Sequence, residues 1–143
     1  MSQSRNTKVF YWITTVVIFL FDGVMPALTS HTELAIEGVR HLGYPDYFRL
    51  LLVSFKVAGA LALILPFVHN RIKEWAYAGF AFTMLSAMIS HWVVDGLGMQ
   101  TLVPIIFLII LLTSYYFHHK LVRDNTLNSK NMVSSTKIAD AWT

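Results

Sequence analysis

Four long apolar segments follow one another along the chain, separated by short polar stretches. They cover residues 9–28, 50–68, 75–94 and 102–117. A helix rises about 1.5 Å per residue, so each segment can cross a hydrocarbon core of about 30 Å once a few flanking residues join it. Inside lipid, a helix satisfies every backbone hydrogen-bonding group within one segment. The pattern therefore predicts an all-α polytopic membrane protein, a bundle of four transmembrane helices.

The stretches outside these segments are short, except for one loop and one tail. In the loop, residues 29–44, Ser30 and Glu33 have the spacing of a capping box, which predicts a short helix over residues 32–41 between the first two spans. The polar tail is rich in Ser, Asn, Thr and Lys, a composition typical of disorder. We therefore expect one transmembrane domain, residues 1–122, followed by a disordered tail, residues 123–143.

Composition supports a membrane location and excludes several kinds of chemistry. Only 13% of the residues are charged and 55% are hydrophobic, whereas soluble proteins have about a quarter of their residues charged. The chain contains no cysteine, which excludes disulfides, thiol redox chemistry, iron–sulfur clusters and cysteine zinc sites. No nucleophile motif or phosphate-binding glycine loop is present, so no catalytic residue is assigned.

The basic residues predict the orientation of the spans. Only Arg40 and Arg49 lie in the loop between the first two spans, and the loop between the last two has none. The N-terminus, the second loop and the tail together contain the others outside the spans: Arg5, Lys8, Arg71, Lys73, Lys120, Arg123, Lys130 and Lys137. By the positive-inside rule both termini are cytoplasmic and the short helix is extracytoplasmic. Because the charge follows topology, we expect no nucleic-acid partner.

Four polar side chains stand out within or at the edge of the spans. Asp22 lies six residues before the outer end of the first span, and Lys56 lies six residues after the outer start of the second, each about 9 Å deep. His91 and Asp95 lie one helical turn apart near the outer end of the third span. Antiparallel packing therefore brings the four together in the outer half of the bundle, with residues 29–44 as a lid.

Two interpretations of this cluster remain open. Ionisable groups in lipid are costly, so they mark a ligand or proton site by default. They can equally be structural, with Asp22 paired to Lys56 and His91 bonded to Asp95 to fix helix packing. Lys56 could also snorkel outward along its own helix, and Asp95 could sit in the headgroup region.

Small residues predict the surfaces on which the helices pack. A stripe on the third span and a small face on the second allow close approach of another helix, although a pore lining is an alternative. Four short spans enclose little volume, so a homodimer is a further expectation. The packing residues are Gly59, Gly79, Thr83, Ser86 and Ser90.

We expect no metal or heme site. His118 and His119 fall at the cytoplasmic end of the fourth span, where interfacial or helix-end contacts explain them. A heme would need two axial ligands at matched depth, and only His91 is deep.

Several motifs taken in order resemble one known family. The runs HLGYPDYF (41–48), KVAGALALILP (56–66), IKEWAYAGF (72–80) and SAMISHWVVDG (86–96) are similar to those of the DoxX-like family of small bacterial membrane proteins. The resemblance covers roughly residues 8–120 and implies a four-helix fold in the bacterial cytoplasmic (inner) membrane. It maps the polar positions of the family to Lys56 and His91, with Asp22 a further candidate. Relatives discussed as thiol-redox partners imply nothing here, because this chain has no cysteine.

The resemblance and the polar cluster together suggest two functions. The first is a non-catalytic integral membrane subunit or assembly factor, in contact with membrane lipid and a partner such as a membrane oxidoreductase. The alternative is an accessory subunit whose outer cluster contacts a quinone headgroup. No other cofactor is identified, and we lean against an enzymatic activity of the chain itself.

Overall fold

A computed structural model describes the backbone of residues 2–140 and the side chains of residues 5–137, and this part of the chain is helical without strands. Four of its helical stretches are long and apolar enough to span a membrane, which confirms the predicted all-α four-span bundle. The elements are α1 (Ser2–Ile18), a π-helical segment (Phe19–Val24), α2 (Met25–Thr29), α3 (Glu33–His41), α4 (Asp46–Ile64), α5 (Asn70–Asp95) and α6 (Met99–Asp140).

Consecutive spans are neighbours around a ring. Helix α1 with its π-helical segment contacts α4, α4 contacts α5, α5 contacts α6, and α6 returns to α1. This is the up-and-down arrangement that short connections favour. Helix α3 packs on α4 and marks one end of the bundle, which we call the α3 end. The opposite end holds the start of α1 and the connection between α4 and α5.

The bundle exposes its apolar side chains and buries a mixture of polar and apolar ones. Trp75 is 80% exposed, and Phe82 and Phe55 are similarly exposed. Such an exterior suits hydrocarbon, where an apolar surface costs nothing. The apolar core is small and consists of Ile18, Ala60, Leu63, Tyr77, Phe80, Met84 and Leu111.

Proline and a histidine cap set the connection between α4 and α5. Helix α4 ends at Ile64, short of the predicted residue 68, because Pro66 disfavours helical geometry at the residue before it. Helix α5 then begins at Asn70, where the ring of His69 accepts a hydrogen bond from the backbone N–H of Arg71 at 3.3 Å. Since α5 starts five residues earlier than expected, Lys73 lies inside a helix and not in a loop.

The short helix α3 has a different N-cap from the one predicted. The backbone N–H of Ser30 donates to the carbonyl of Pro26 at 2.9 Å, so Ser30 ends α2. Thr32 takes the N-cap position, and its hydroxyl accepts from the N–H of Ala35 at 3.4 Å. The expected capping box of Ser30 with Glu33 is therefore wrong, although the helix itself is present.

The tail differs from the expected disorder, since α6 continues as a helix to Asp140. No glycine or proline follows Pro104 to stop it, and the hydroxyls of Thr126 and Thr136 donate to carbonyls one turn back at 2.9 and 3.0 Å. The side chains of residues 125–137 are exposed, so the polar composition reflects exposure and not loss of the helix. Residues 141–143 of the predicted tail lie outside the described residues.

A π-helical segment interrupts the first span next to Pro26. Proline has no N–H for the carbonyl of Asp22 four residues earlier, and its ring crowds that carbonyl. A wider turn removes this conflict, and the N–H of Met25 donates to the carbonyl of Leu20, five residues back. Turns of this kind recur at functional sites. Asp22 and Gly23 are buried within it.

Gly23 sets the closest approach of this segment to α4. A Cβ placed on Gly23 would lie 2.6 Å from the Cβ of Ala60, so only glycine fits without a shift of backbone. We expect Gly23→Ala to lower the free energy of unfolding by about 1–3 kcal/mol through overpacking. Denaturant unfolding in detergent measures this. Gly79→Ala is the matched control, because nothing lies within 4 Å of its added Cβ; equal losses for both variants would contradict the close approach.

Candidate functional site

Asp22 and Lys56 form an ion pair between the π-helical segment and α4. The Nζ of Lys56 donates to Oδ1 of Asp22 at 2.7 Å. The side chain of Asp22 is only 8% exposed and that of Lys56 only 19%. Lys56 therefore points to Asp22 and does not snorkel outward along its own helix.

His91 and Asp95 are also bonded to each other, and a third residue joins them. The Nδ1 of His91 lies 2.7 Å from Oδ2 of Asp95, the last residue of α5. The other carboxylate oxygen of Asp95 is bonded to Nε2 of His41, at the end of α3. Sequence reasoning missed His41, because its place in a loop gave it no depth in a span. The carboxylate of Asp95 thus ties the helix over the loop to α5.

Further polar contacts fix α3 and the following turn over the bundle. The guanidinium of Arg40 donates through Nε and Nη2 to both carboxylate oxygens of Asp46, at 2.8 and 2.6 Å. The hydroxyl of Tyr44 lies 2.7 Å from that of Ser90 on α5. Ser90, predicted as a packing residue, therefore hydrogen-bonds the turn that follows α3. These contacts hold α3 as a roof across α4 and α5.

A cavity of about 310 Å³ lies beneath this roof. Its lining comes from α2, α3, α4 and α5 and includes both Lys56 and His91. Asp22 and Asp95 are not in the lining, but each hydrogen-bonds a residue that is. Two of the four predicted cluster residues therefore line one space at the α3 end, and the other two are bonded to them.

Arg49 is a cavity residue that sequence reasoning counted only as a loop charge. It lies in the first turn of α4 and lines the cavity. Its Nη1 donates to the backbone carbonyl of Ser30, whereas its Nε is buried without a hydrogen-bond partner. A buried donor without an acceptor is costly, so a ligand atom that accepts from it would be favoured.

The predicted packing residues divide into two groups. Gly59 allows close packing, since a Cβ there would lie 2.9 Å from Cε2 of Phe80. Gly79 has open space beside it, Thr83 donates to the carbonyl of Gly79 at 2.8 Å, and Ser86 is exposed. Gly59, Gly79 and Thr83 line a groove of about 490 Å³ between α4 and α5. Gly79 and Thr83, the first half of the stripe on α5, thus face open space along this groove.

The opposite end of the bundle contains a second polar cluster that was not predicted. Lys73 was expected in a loop, yet it is only 5% exposed. Its Nζ donates to the carbonyl of Leu63 at 3.0 Å and to the hydroxyl of Tyr11 at 3.3 Å. The last carbonyls of a helix lack partners within it, and Pro66 prevents α4 from continuing. Lys73 and Tyr11 supply donors to one of these carbonyls.

His118 belongs to the same cluster. It is 6% exposed, with its ring 5.7 Å from that of Tyr11 and 5.9 Å from that of Tyr77. The hydroxyl of Ser114 lies 2.9 Å from that of Tyr77 and 3.0 Å from that of Thr15. The bundle therefore buries charged and histidine side chains at this end as well as at the α3 end. A signal existed, because Tyr11 and Thr15 lie one turn apart in the first span, at helical spacing from Asp22.

The α3 end offers donors more than it offers metal ligands. In the part of the chain that the structure describes, no group of three or more His, Cys, Asp or Glu side chains could hold a metal ion. Lys56, His91 and Arg49 instead present nitrogen atoms around the cavity. Such an arrangement suits a carbonyl, carboxylate or phosphate oxygen.

Comparison with known proteins agrees with this architecture. No curated protein and no solved structure matched the chain. The sequence model of a protein family does match, over residues 11–114. This range contains α2 to α5, the cavity and the groove. The chain is a membrane protein with four spans, and it belongs to the DoxX-like family.

Proposed function

We propose that this protein is a non-catalytic subunit or assembly factor of a membrane complex, and that it engages its partner or ligand at the α3 end. The observation that supports this most is the roofed cavity lined by Lys56 and His91. Both residues are hydrogen-bonded to carboxylates that hold the surrounding helices together. The cluster thus combines a fixed shape with donors that face a space.

The partners of the two carboxylates favour a binding role over acid–base chemistry. Asp22 accepts from Lys56, and Asp95 is bonded to both His91 and His41. Buried pairs of this kind fix geometry and specificity, as a recognition surface requires. A membrane oxidoreductase is the class of partner that we propose.

Purification from the native membrane in a mild detergent tests this role. We expect the chain to migrate in an assembly with a second membrane protein, at a fixed ratio that persists through two chromatographic steps. A chain that is recovered alone or only as a homodimer, after chemical crosslinking in the intact membrane, would contradict the proposed role.

A second candidate function is contact with a quinone. Lys56 and His91 lie around the same cavity and could donate to the two carbonyl oxygens of a quinone headgroup. Organic extraction of the purified protein followed by mass spectrometry distinguishes the candidates. A quinone at a fixed molar ratio to the protein would favour this second function, and its absence from freshly prepared material would reject it.

We propose further that the protein lies in the bacterial cytoplasmic membrane with both termini cytoplasmic. Burial of Lys73 removes one residue from the basic set on that side, yet seven remain against Arg40 and Arg49. A reporter fused at the C-terminus should therefore report a cytoplasmic location, and one inserted at Gly38 in α3 an external location. A cytoplasmic signal from the Gly38 insertion would overturn this orientation.

A further inference from the structure

The cavity under α3 and the groove between α4 and α5 adjoin each other. Leu52 and Lys56 line both spaces. Both linings are mainly apolar, but the cavity adds Arg49 and His91 to the Lys56 that the two spaces share. A ligand that occupies both spaces would thus meet these two side chains at its cavity end only.

Arg49 differs from the other cations around the cavity in its hydrogen-bond partners. Lys56 is paired with Asp22, and His91 is bonded to Asp95. Asp46, the first residue of α4, forms a bidentate ion pair with Arg40. Arg49 instead donates to a backbone carbonyl, and its Nε has no partner. Among Lys56, Arg40 and Arg49, Arg49 is therefore the cation that is not hydrogen-bonded to a carboxylate, and its Nε is the donor left for an anionic ligand group.

Arginine also sets the shape of the expected ligand group. A guanidinium binds phosphate or carboxylate through two parallel N–H groups, a geometry that an ammonium group lacks. Nη1 of Arg49 is occupied by Ser30, which leaves the edge that contains Nε for such a pair. The monoanionic phosphodiester of a phospholipid offers two acceptor oxygens and a negative charge for such a pair.

The groove has the length and the surface that an acyl chain needs. Its α4 side runs from Leu52 to Ala62, ten residues or about 15 Å along a helix. Gly59 and Gly79 contribute no side chain to the groove, which leaves it open, and the exposed side chains of Phe55 and Trp75 border it. The groove faces outward from the bundle, toward the hydrocarbon of the bilayer.

We propose that the cavity and the groove form one site for an anionic phospholipid, with its phosphate beside Arg49 and an acyl chain between α4 and α5. This inference goes beyond the proposed accessory role, because a bound lipid requires no protein partner. A resident lipid would also fill the open space beside Gly79, where none of the described residues comes within 4 Å of an added Cβ.

Lipid binding can be measured with vesicles and matched arginine variants. Protein reconstituted in vesicles of equal parts phosphatidylglycerol and phosphatidylcholine is extracted in detergent, and the retained lipid is quantified by native mass spectrometry. We expect wild type to retain phosphatidylglycerol selectively and Arg49→Gln to retain about tenfold less or lower still, the effect of losing a charge-assisted hydrogen bond. Arg71→Gln is the control, since Arg71 is an exposed arginine that lines neither the cavity nor the groove. Equal retention by the two variants would overturn the proposal.

A second pair of variants tests the groove and does not depend on the stability of the Arg49 variant. Gly79→Leu places a side chain in the open groove, and Ala78→Leu places the same side chain on the next exposed position of α5. We expect Gly79→Leu to reduce lipid retention several-fold and Ala78→Leu to leave it unchanged. Unchanged retention in both would reject the groove as the site of the acyl chain.

Competition identifies which ligand the site recognises. Inorganic phosphate at millimolar concentration should not displace the lipid, because the groove contributes to binding. Displacement by phosphate alone would overturn the two-part site. Recovery of a neutral quinone in place of phosphatidylglycerol would overturn the proposal of an anionic ligand and favour the second candidate function. If the purified protein retains lipid but no protein partner, that result counts only against the accessory role.

Discussion

Lys56→Met is expected to lower the free energy of unfolding by about 3–5 kcal/mol, because it leaves the carboxylate of Asp22 buried without its positive partner. Asp22 is only 6% exposed, and the distance between Lys56 Nζ and its Oδ1 is 2.7 Å. The remaining carboxylate would have to protonate or draw in water, and both cost free energy in a membrane. Denaturant unfolding in detergent micelles measures the loss.

A double-mutant cycle shows whether the loss belongs to the pair. Combining Lys56→Met with Asp22→Asn should recover most of the stability, since the double variant leaves no buried charge. Lys8→Met is the control, because Lys8 is an exposed lysine in α1. If the losses of the two single variants simply add in the double variant, Asp22 and Lys56 do not act as partners.

The sequence predicted the spans well because apolar periodicity and the needs of the backbone in lipid leave few alternatives. Helix ends were harder, since they depend on single residues. Pro66 stops α4 early, and His69 caps α5 at a position where the polar stretch suggested a loop. In the tail, polar composition indicated disorder, but the chain lacks the glycine or proline that would end α6 before Asp140.

The number of residues between a side chain and the end of its predicted span explains which site residues could be found from sequence. Asp22 and Lys56 lie equally far from the same end of adjacent spans, so antiparallel packing brings them together without any knowledge of side-chain geometry. His41 and Arg49 lie outside the predicted spans, so their distance from a span end does not indicate which residues they contact. Lys73 was missed because its burial depends on where α5 begins.

His91→Phe is the change with the largest expected effect on function. His91 lines the cavity, and its ring is hydrogen-bonded to Asp95. Asp95 is also hydrogen-bonded to His41 at the end of α3. Phenylalanine keeps an aromatic ring of similar size but offers no hydrogen bond to a partner or ligand. We expect engagement at the α3 end to fall by about tenfold or more, the effect of a lost buried hydrogen bond to a charged group. The amount of protein in the membrane should stay unchanged.

The matched control is a histidine at the opposite end. His119 is about half exposed and contacts the ring of Tyr115, with Glu74 3.7 Å away. His119→Phe should therefore leave engagement unchanged. His118 is unsuitable as a control because it is buried between Tyr11 and Tyr77, so its replacement would disturb packing at that end.

The proposed location of function at the α3 end is tested most directly by the quantity of partner protein that copurifies with each copy of the chain. This quantity is compared among wild type, His91→Phe and His119→Phe, purified from native membranes at equal expression. We expect the partner to be retained by wild type and by His119→Phe and lost from His91→Phe. Loss from His119→Phe with full retention by His91→Phe would contradict the proposal and place the functional surface at the opposite end.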